Sequence, residues 1–187
     1  MLCIDPHPVL RKKARRIEAV TNEIRRLARE MIETMYAHDG IGLAAPQIGE
    51  DLQLFVANPS QRRGQEVVVI NPVLEASRGR TAITEGCLSL PQIWERVTRA
   101  AQIRLTGQDV RGKPLTMETG GLLAIVLQHE VDHLQGRLFI DRLSIIRRVR
   151  VAVYRKFAGA HVLQASPAHQ DEMSSGSPSS AMTARSG

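Results

Sequence analysis

Residues 122–133 constrain this chain more than any other stretch. Leu122, Ile125 and Val126 recur at helical spacing, and His129 and His133 continue the same stripe. A face of that kind turns inward, so the two imidazoles go with it toward the core. Left unpartnered there they would carry a desolvation cost of kcal/mol size. Their i,i+4 spacing instead places both on one side of a helix, where they can bind the same metal ion. The element reads His129-Glu130-Val131-Asp132-His133, and Glu130 lies beside a ligand without needing to be one. Its carboxylate can take a proton from water acidified by a divalent cation, from a pKa of 15.7 to about 7, and later return it to a leaving group.

An open catalytic metal site needs a third protein ligand. The metzincin pattern, His-Glu-x-x-His-x-x-Gly-x-x-His, is followed as far as Gly136 but meets Phe139 where its last histidine should stand. A thermolysin-like site wants a downstream glutamate, and residues 142–170 contain neither Asp nor Glu. What remains lies upstream: Cys87, in the polar, glycine-containing run Glu85-Gly86-Cys87-Leu88-Ser89-Leu90-Pro91.

Around this element the pattern predicts an α+β fold, with mostly antiparallel sheets around a central metal-binding helix, an N-terminal helix and a C-terminal helix. Ile24, Leu27, Met31, Ile32 and Met35 predict the first helix, capped by Thr21 and ended by Gly40. Gly40–Gly49 reads as tightly packed irregular backbone. Strands are expected at Leu52–Ala57, Glu66–Ile70, Val97–Leu105 and Pro114–Met117, and Thr119 is the expected cap of the metal helix. The C-terminal helix, about residues 143–163, sets Ile146, Val149, Val153 and Phe157 on one side, a face able to dock to the domain. Arg147, Arg148, Arg150, Arg155 and Lys156 occupy the others. Seven serines among the last 23 residues mark a composition shift, so residues 1–164 are expected to form the catalytic domain and 165–187 a disordered tail.

Composition narrows the function classes. No apolar run approaches the roughly 18–20 residues of a membrane span. Asp5, Pro6 and Pro8 occupy the place of a signal peptide's apolar core, so a cytoplasmic location is expected. Two cysteines, Cys3 and Cys87, give no disulfide framework. Aromatic residues are 3% of the chain, which disfavours nucleobase-stacking platforms and sequence-specific nucleic-acid binding. The net charge of +6 is concentrated in residues 11–16 and 142–156, which suits an anionic partner or a solvated helix face.

Three separated motifs carry a resemblance. Gly40-Ile41-Gly42-Leu43-Ala44-Ala45-Pro46-Gln47, Glu85-Gly86-Cys87-Leu88-Ser89 and Gln128-His129-Glu130-Val131-Asp132-His133-Leu134 resemble, in order and spacing, those of bacterial-type peptide deformylases. Pro8-Val9-Leu10-Arg11 and Gly136–Arg142 extend the similarity over about residues 4–145. The resemblance implies a hydrolase that removes the N-formyl group from the formyl-methionine of new polypeptides. It implies Cys87, His129 and His133 as metal ligands, Fe(II) as the usual metal, and Zn(II), Ni(II) or Co(II) as substitutes. Glu130 would be the general acid and base, with the Gln47 amide and the Leu88 backbone N–H as oxyanion donors. Ile41, Leu122, Ile125 and Val126 would line the methionine pocket, and Gly42 would admit the extended peptide backbone. The basic helix, 143–163, suggests ribosome docking through its acid-free charge, with similarity in support, and a solvated face is the alternative. Gln92 and Trp94 depart from the family's pattern and leave the subsites beyond the first residue open.

Two other readings compete: a metalloprotease of unusual ligation, and a ribosome- or RNA-binding protein that keeps the fold without activity. Intact Glu130, Gln47 and Cys87 argue against the second, since only catalysis calls for base, oxyanion donor and thiol together.

Overall fold

The computed structural model describes residues 1–162, with side chains described as far as Phe157, so the tail expected at 165–187 lies outside the described residues. Its framework is a five-stranded sheet made from β1 (Gly42–Ala44), β2 (Leu54–Ala57), β3 (Val67–Arg78), β6 (Gln102–Gln108) and β7 (Pro114–Gly120), ordered β1-β2-β3-β6-β7. Every pairing in it is antiparallel. β4 (Thr81–Cys87) and β5 (Leu90–Arg99) form a separate antiparallel hairpin.

β2 is buried along its whole length because it is covered on both sides. Leu54 and Val56 pack with Met31 and Met35 of helix α1 (Asn22–Ala37). Phe55 and Ala57, pointing the other way, pack with Ala124 and Leu127 of helix α2 (Gly121–Leu134). Strand alternation thus places α1 and α2 on opposite faces of the sheet. A third apolar cluster lies under the β4–β5 hairpin, where Leu90, Ile93 and Val97 meet Leu138, Phe139, Leu143 and Val151.

Local chemistry fixes the helix ends. Thr21 caps α1 as expected, its Oγ1 accepting from the Ile24 N–H at 3.4 Å. α2 starts after Gly120 rather than Thr119, since Thr119 is still paired in the sheet opposite Ile103. It ends at Leu134, one residue beyond His133, in a Schellman turn: Arg137 N–H donates to Asp132 C=O and Gly136 N–H to His133 C=O. Gly136 takes φ 69°, and a Cβ there would lie 2.8 Å from the Arg11 backbone.

Several elements differ from the sequence reading. The glycine-rich run is not wholly irregular, since Gly42–Ala44 pair with β2 and Ala45–Ile48 form a 3-10 turn. The stretch Val97–Leu105 is two strands, β5 and β6, broken at Ala100 and Ala101. β3 runs on through Asn71-Pro72 because a register shift between Ile70 and Val73 takes up the proline. The third helix, α3, spans Ile145–Val162, so Leu143 precedes it. Its expected apolar docking face is open at the start, with Ile146 83% and Val149 58% exposed. Val151 is the residue that enters the core there, 6% exposed. Spacing shows that one side of a helix is apolar and says nothing of what covers it. Contacts group Met1–Val151 as one unit, and a second begins at Ala152, within α3.

Candidate metal centre

Three chain segments meet at the C-terminal half of α2. The helix supplies His129, Glu130 and His133 from adjacent turns, as the i,i+4 spacing requires. β4 ends on Cys87, where the hairpin turns through Leu88 and Ser89 to Leu90. The 3-10 turn after β1 supplies Gln47, which is buried.

The potential ligand atoms of Cys87, His129 and His133 lie within 4.8 Å of one another, the arrangement expected of donors that share one ion. Cys87 Sγ stands 3.2 Å from His133 Nε2. Gln47 is clamped from behind, its Oε1 accepting from the Ala44 N–H at 2.8 Å, so its Nε2 points to Cys87 Sγ at 3.5 Å and Ser89 Oγ at 3.3 Å. A thiol and two imidazoles form a borderline-soft donor set that accepts iron, zinc, cobalt or nickel. The residues present therefore fit a divalent transition metal.

Charge is arranged around this centre. His129 Nδ1 meets Glu85 Oε2 at 2.9 Å, which leaves its Nε2 for the metal side. Glu85 is held in turn by Arg99, through Nε to Oε1 at 2.7 Å and Nη2 to Oε2 at 2.8 Å. Burial raises the Glu85 pKa, but the Arg99 and His129 hydrogen bonds outweigh it and bring the carboxyl down to about 2. Burial likewise lowers His129, and the hydrogen bonds with Cys87 and Glu85 prevail to raise it well above the usual range. His133 is pushed well below that range by burial.

Glu130 is the opposite case. Burial raises its carboxyl to about 7, with Glu85 and Asp132 adding to the effect and His129 and Arg99 opposing it. Among the described residues its Oε2 is a buried oxygen without a hydrogen-bond partner. The Oε1 side is approached by Gly42 so closely that a Cβ there would fall 2.3 Å from it. Gly42 thus has a role that the sequence reading missed, making room for the glutamate.

A cavity of about 610 Å³ opens onto these groups. Gln47, Cys87, Leu88, His129 and Glu130 border it together. Ile41, Gly42, Leu122, Ile125 and Val126, the expected substrate-binding residues, line the same space. His133 alone of the expected site residues is not at its wall, being buried behind Cys87.

Other residues at the centre were not anticipated. Arg99 also donates to Asp132 from its Nη1, and Arg142 grips the same carboxylate through Nη2 and through Nε at 2.9 Å. Phe139, standing where a metzincin's third histidine would be, stacks on His129 with ring centroids 6.1 Å apart. Glu85 is two residues from Cys87 in the quoted motif, and the inward register of Ile93 and Val97 along β5 reaches Arg99. Those were the available signals.

Comparison with known proteins agrees with this geometry. Residues 1–149 match the profile of the family described as Polypeptide deformylase. A peptide deformylase of Syntrophobacter fumaroxidans is 45% identical over 150 residues, 79% of this chain and 88% of the relative. One of Tolumonas auensis is 47% identical over 146 residues, 78% and 87% of the two chains. Among solved structures, a Legionella pneumophila peptide deformylase superposes with a TM-score of 0.81 at 38% identity, covering 89% of this chain and 98% of that one. A Synechococcus elongatus enzyme, solved in complex with actinonin, gives a TM-score of 0.78 at 37% identity over 85% of each chain.

Proposed function

We propose, from the premise that this chain belongs to the polypeptide deformylase family, a division of labour among its residues. The protein is a metal-dependent hydrolase that removes the N-formyl group from the N-terminal formyl-methionine of newly synthesised polypeptides and releases formate. Cys87, His129 and His133 hold the metal, and a divalent cation bound there supplies Lewis acidity that activates water and polarises the formyl carbonyl. Glu130 Oε2 accepts a proton from the water as its oxygen attacks the formyl carbon. The Gln47 side-chain amide and the Leu88 N–H donate to the oxygen on which negative charge develops. When the C–N bond breaks, Glu130 returns its proton to the departing amine nitrogen, and formate leaves. Ile41, Leu122, Ile125 and Val126 receive the methionine side chain, and the peptide lies extended beside Gly42.

One observation carries this reading: a buried carboxylate oxygen without a partner, beside a thiol and two imidazoles placed to share one cation, at the base of a partly apolar cavity. The deciding experiment is formate release from formyl-Met-Ala by metal-loaded enzyme, with Glu130→Gln as control. Turnover of internal peptide bonds without formate release would favour the protease reading instead.

Fe(II) is proposed as the physiological metal, with Zn(II), Ni(II) or Co(II) able to replace it; the support is the family resemblance and the donor set. Metal analysis after anaerobic purification tests it. The cytoplasm is the proposed location, because formylated chains emerge there. No helix among the described residues is long and apolar enough to cross a membrane.

Ribosome docking through α3 is proposed as well. Arg147 and Arg150 share Glu95, at 3.9 and 2.6 Å, so one carboxylate faces two guanidinium groups and positive charge is left over. Contacts of that surplus with RNA phosphates would release counterions, so co-sedimentation with ribosomes should fall steeply with salt. Equal co-sedimentation of wild type and an Arg147→Gln/Arg150→Gln variant at low salt would remove the idea. Residues 1–164 as the catalytic domain is the proposed boundary, tested by activity of a chain ending at 164.

A further inference from the structure

A second cavity, of about 820 Å³, lies on the side of α2 away from the metal centre, between that helix, the strand ends of β3 and β5 and the start of α3. Its volume falls in the range of small-molecule pockets, about 300–1,000 Å³. Five arginines border it: Arg80, Arg99, Arg137, Arg142 and Arg148. The acids at its wall are Asp132 and Asp141.

Both acids are already committed. Asp132 Oδ2 receives Arg99 and Arg142, and its Oδ1 receives Arg142 again. Asp141 Oδ2 receives Arg11 at 2.6 Å and the Leu138 N–H at 2.8 Å. Arg99 is further neutralised by Glu85. Arg148 is held in place by neutral groups only, donating to the Leu143 carbonyl at 3.1 Å and to the Asp141 carbonyl. Arg80 and Arg137 have no ion pair or side-chain hydrogen bond among the described residues. Five arginines thus face two carboxylates at this cavity, and three of the guanidinium groups have no ion pair among the described residues.

We propose that this cavity is a binding site for a small oligophosphate-type anion, with Arg80, Arg137 and Arg148 as its contacts. Guanidinium groups match phosphate oxygens through forked, charge-assisted hydrogen bonds, and three of them suit a ligand with several negative charges. Nothing aromatic lines the cavity, so it offers no stacking platform for a nucleobase. The ligand's recognition therefore rests on its phosphates. None of the three arginines is at the wall of the metal-site cavity, so replacing them removes no group that borders the metal centre.

The test is equilibrium binding of inorganic tripolyphosphate to the metal-loaded full chain at low salt, with pyrophosphate for comparison. The probed variant is Arg80→Gln/Arg137→Gln, and Arg16→Gln/Arg29→Gln serves as a control with the same change in net charge. Wild type and control should bind alike, tripolyphosphate more tightly than pyrophosphate, and the cavity variant at least tenfold more weakly. Its log–log salt slope should also be shallower, while formate release from a free formyl-Met peptide stays unchanged. No binding by wild type would overturn the proposal, and so would an equal loss in the control variant, which would mean bulk charge alone. A short single-stranded RNA that binds more tightly than tripolyphosphate, and loses affinity in the cavity variant, would overturn it in favour of nucleic acid.

Discussion

Arg99 and Glu85 form a two-point ion pair beneath the metal centre, the arginine side chain only 1% exposed, and the same carboxylate holds the imidazole of His129. A buried guanidinium in this position is anchored at both ends, by Glu85 on the hairpin and Asp132 on α2. Removing it would leave Glu85 with His129 alone and Asp132 with Arg142 alone, two buried carboxylates each short of a cation. Arg99→Ala is therefore expected to lower stability by about 3–5 kcal/mol, as breaking buried pairs does. Arg99→Lys should recover only part of that, because an ammonium cannot reproduce the forked contact. Denaturant unfolding of the metal-loaded variants measures both, and a loss under 1 kcal/mol for the alanine variant would contradict the assignment.

Glu85 links that pair to His129, a proposed metal ligand, so its effect should show in metal affinity. Glu85→Gln is expected to weaken metal binding about 10–100-fold, the usual range for a residue that orients a ligand. Its carboxyl lies at about 2 against an ordinary 4.5, a depressed value. The stabilisation it gives is then full above the ordinary value and lost as pH falls toward 2. The acid limb of the stability curve should be shallower in the Gln variant, and superimposable acid limbs would refute this.

Gly42 and Glu130 are tied by contact rather than charge. A methyl group at Gly42 would stand 2.3 Å from Glu130 Oε1 and 2.9 Å from Val126 Cγ1, so one of them must move. Displacing a positioned carboxylate by about 1 Å can cost on the order of 10² in rate. Gly42→Ala should thus fold, bind metal and lose roughly that factor in kcat. A change confined to KM would make Gly42 a residue of peptide approach alone.

Glu130→Gln keeps the shape and removes the proposed base. It should retain metal and lose about 10²–10⁴ in turnover. Cys87→Ala, by contrast, should lose metal itself, which atomic absorption on the purified protein would show.

These residues differ in how far they could be read from the chain. His129, Glu130 and His133 were legible because helical periodicity converts the i,i+4 spacing of the histidines into a shared face. Cys87 was reached through its motif and the failure of the downstream alternatives. Arg99 was not legible as a partner of Glu85 or Asp132, which lie 14 and 33 positions away, since nothing local announces a pair closed by the fold. Strand alternation from Ile93 through Val97 would have turned it inward, had β5 been separated from β6. The Gly42–Glu130 contact was hidden for the same reason, as its two halves sit on β1 and α2. The exposed start of α3 shows the converse limit, an apolar stripe that could be read although its covering could not.

Trp94 stands at the rim of the metal-site cavity, 70% exposed, on the outward register of β5. Its ring lies against the Gly86 backbone, close enough that a Cβ there would come within 2.7 Å of two ring carbons. The glycine thus seats the ring, leaving an aromatic surface beside the cavity that Cys87, His129 and Glu130 border. A peptide running out of this cavity would meet that surface after its first residue. Such contacts are remote from the reacting bond and should act on ground state and transition state alike, which raises affinity without raising kcat. Trp94→Ala is expected to raise KM several-fold for formyl-Met peptides with apolar residues at the second or third position, and to leave kcat within about twofold. Formyl-Met amide, which ends before the rim, should show no change. If the variant altered the short and the long substrates equally, Trp94 would be a support for the hairpin and not a contact for the peptide.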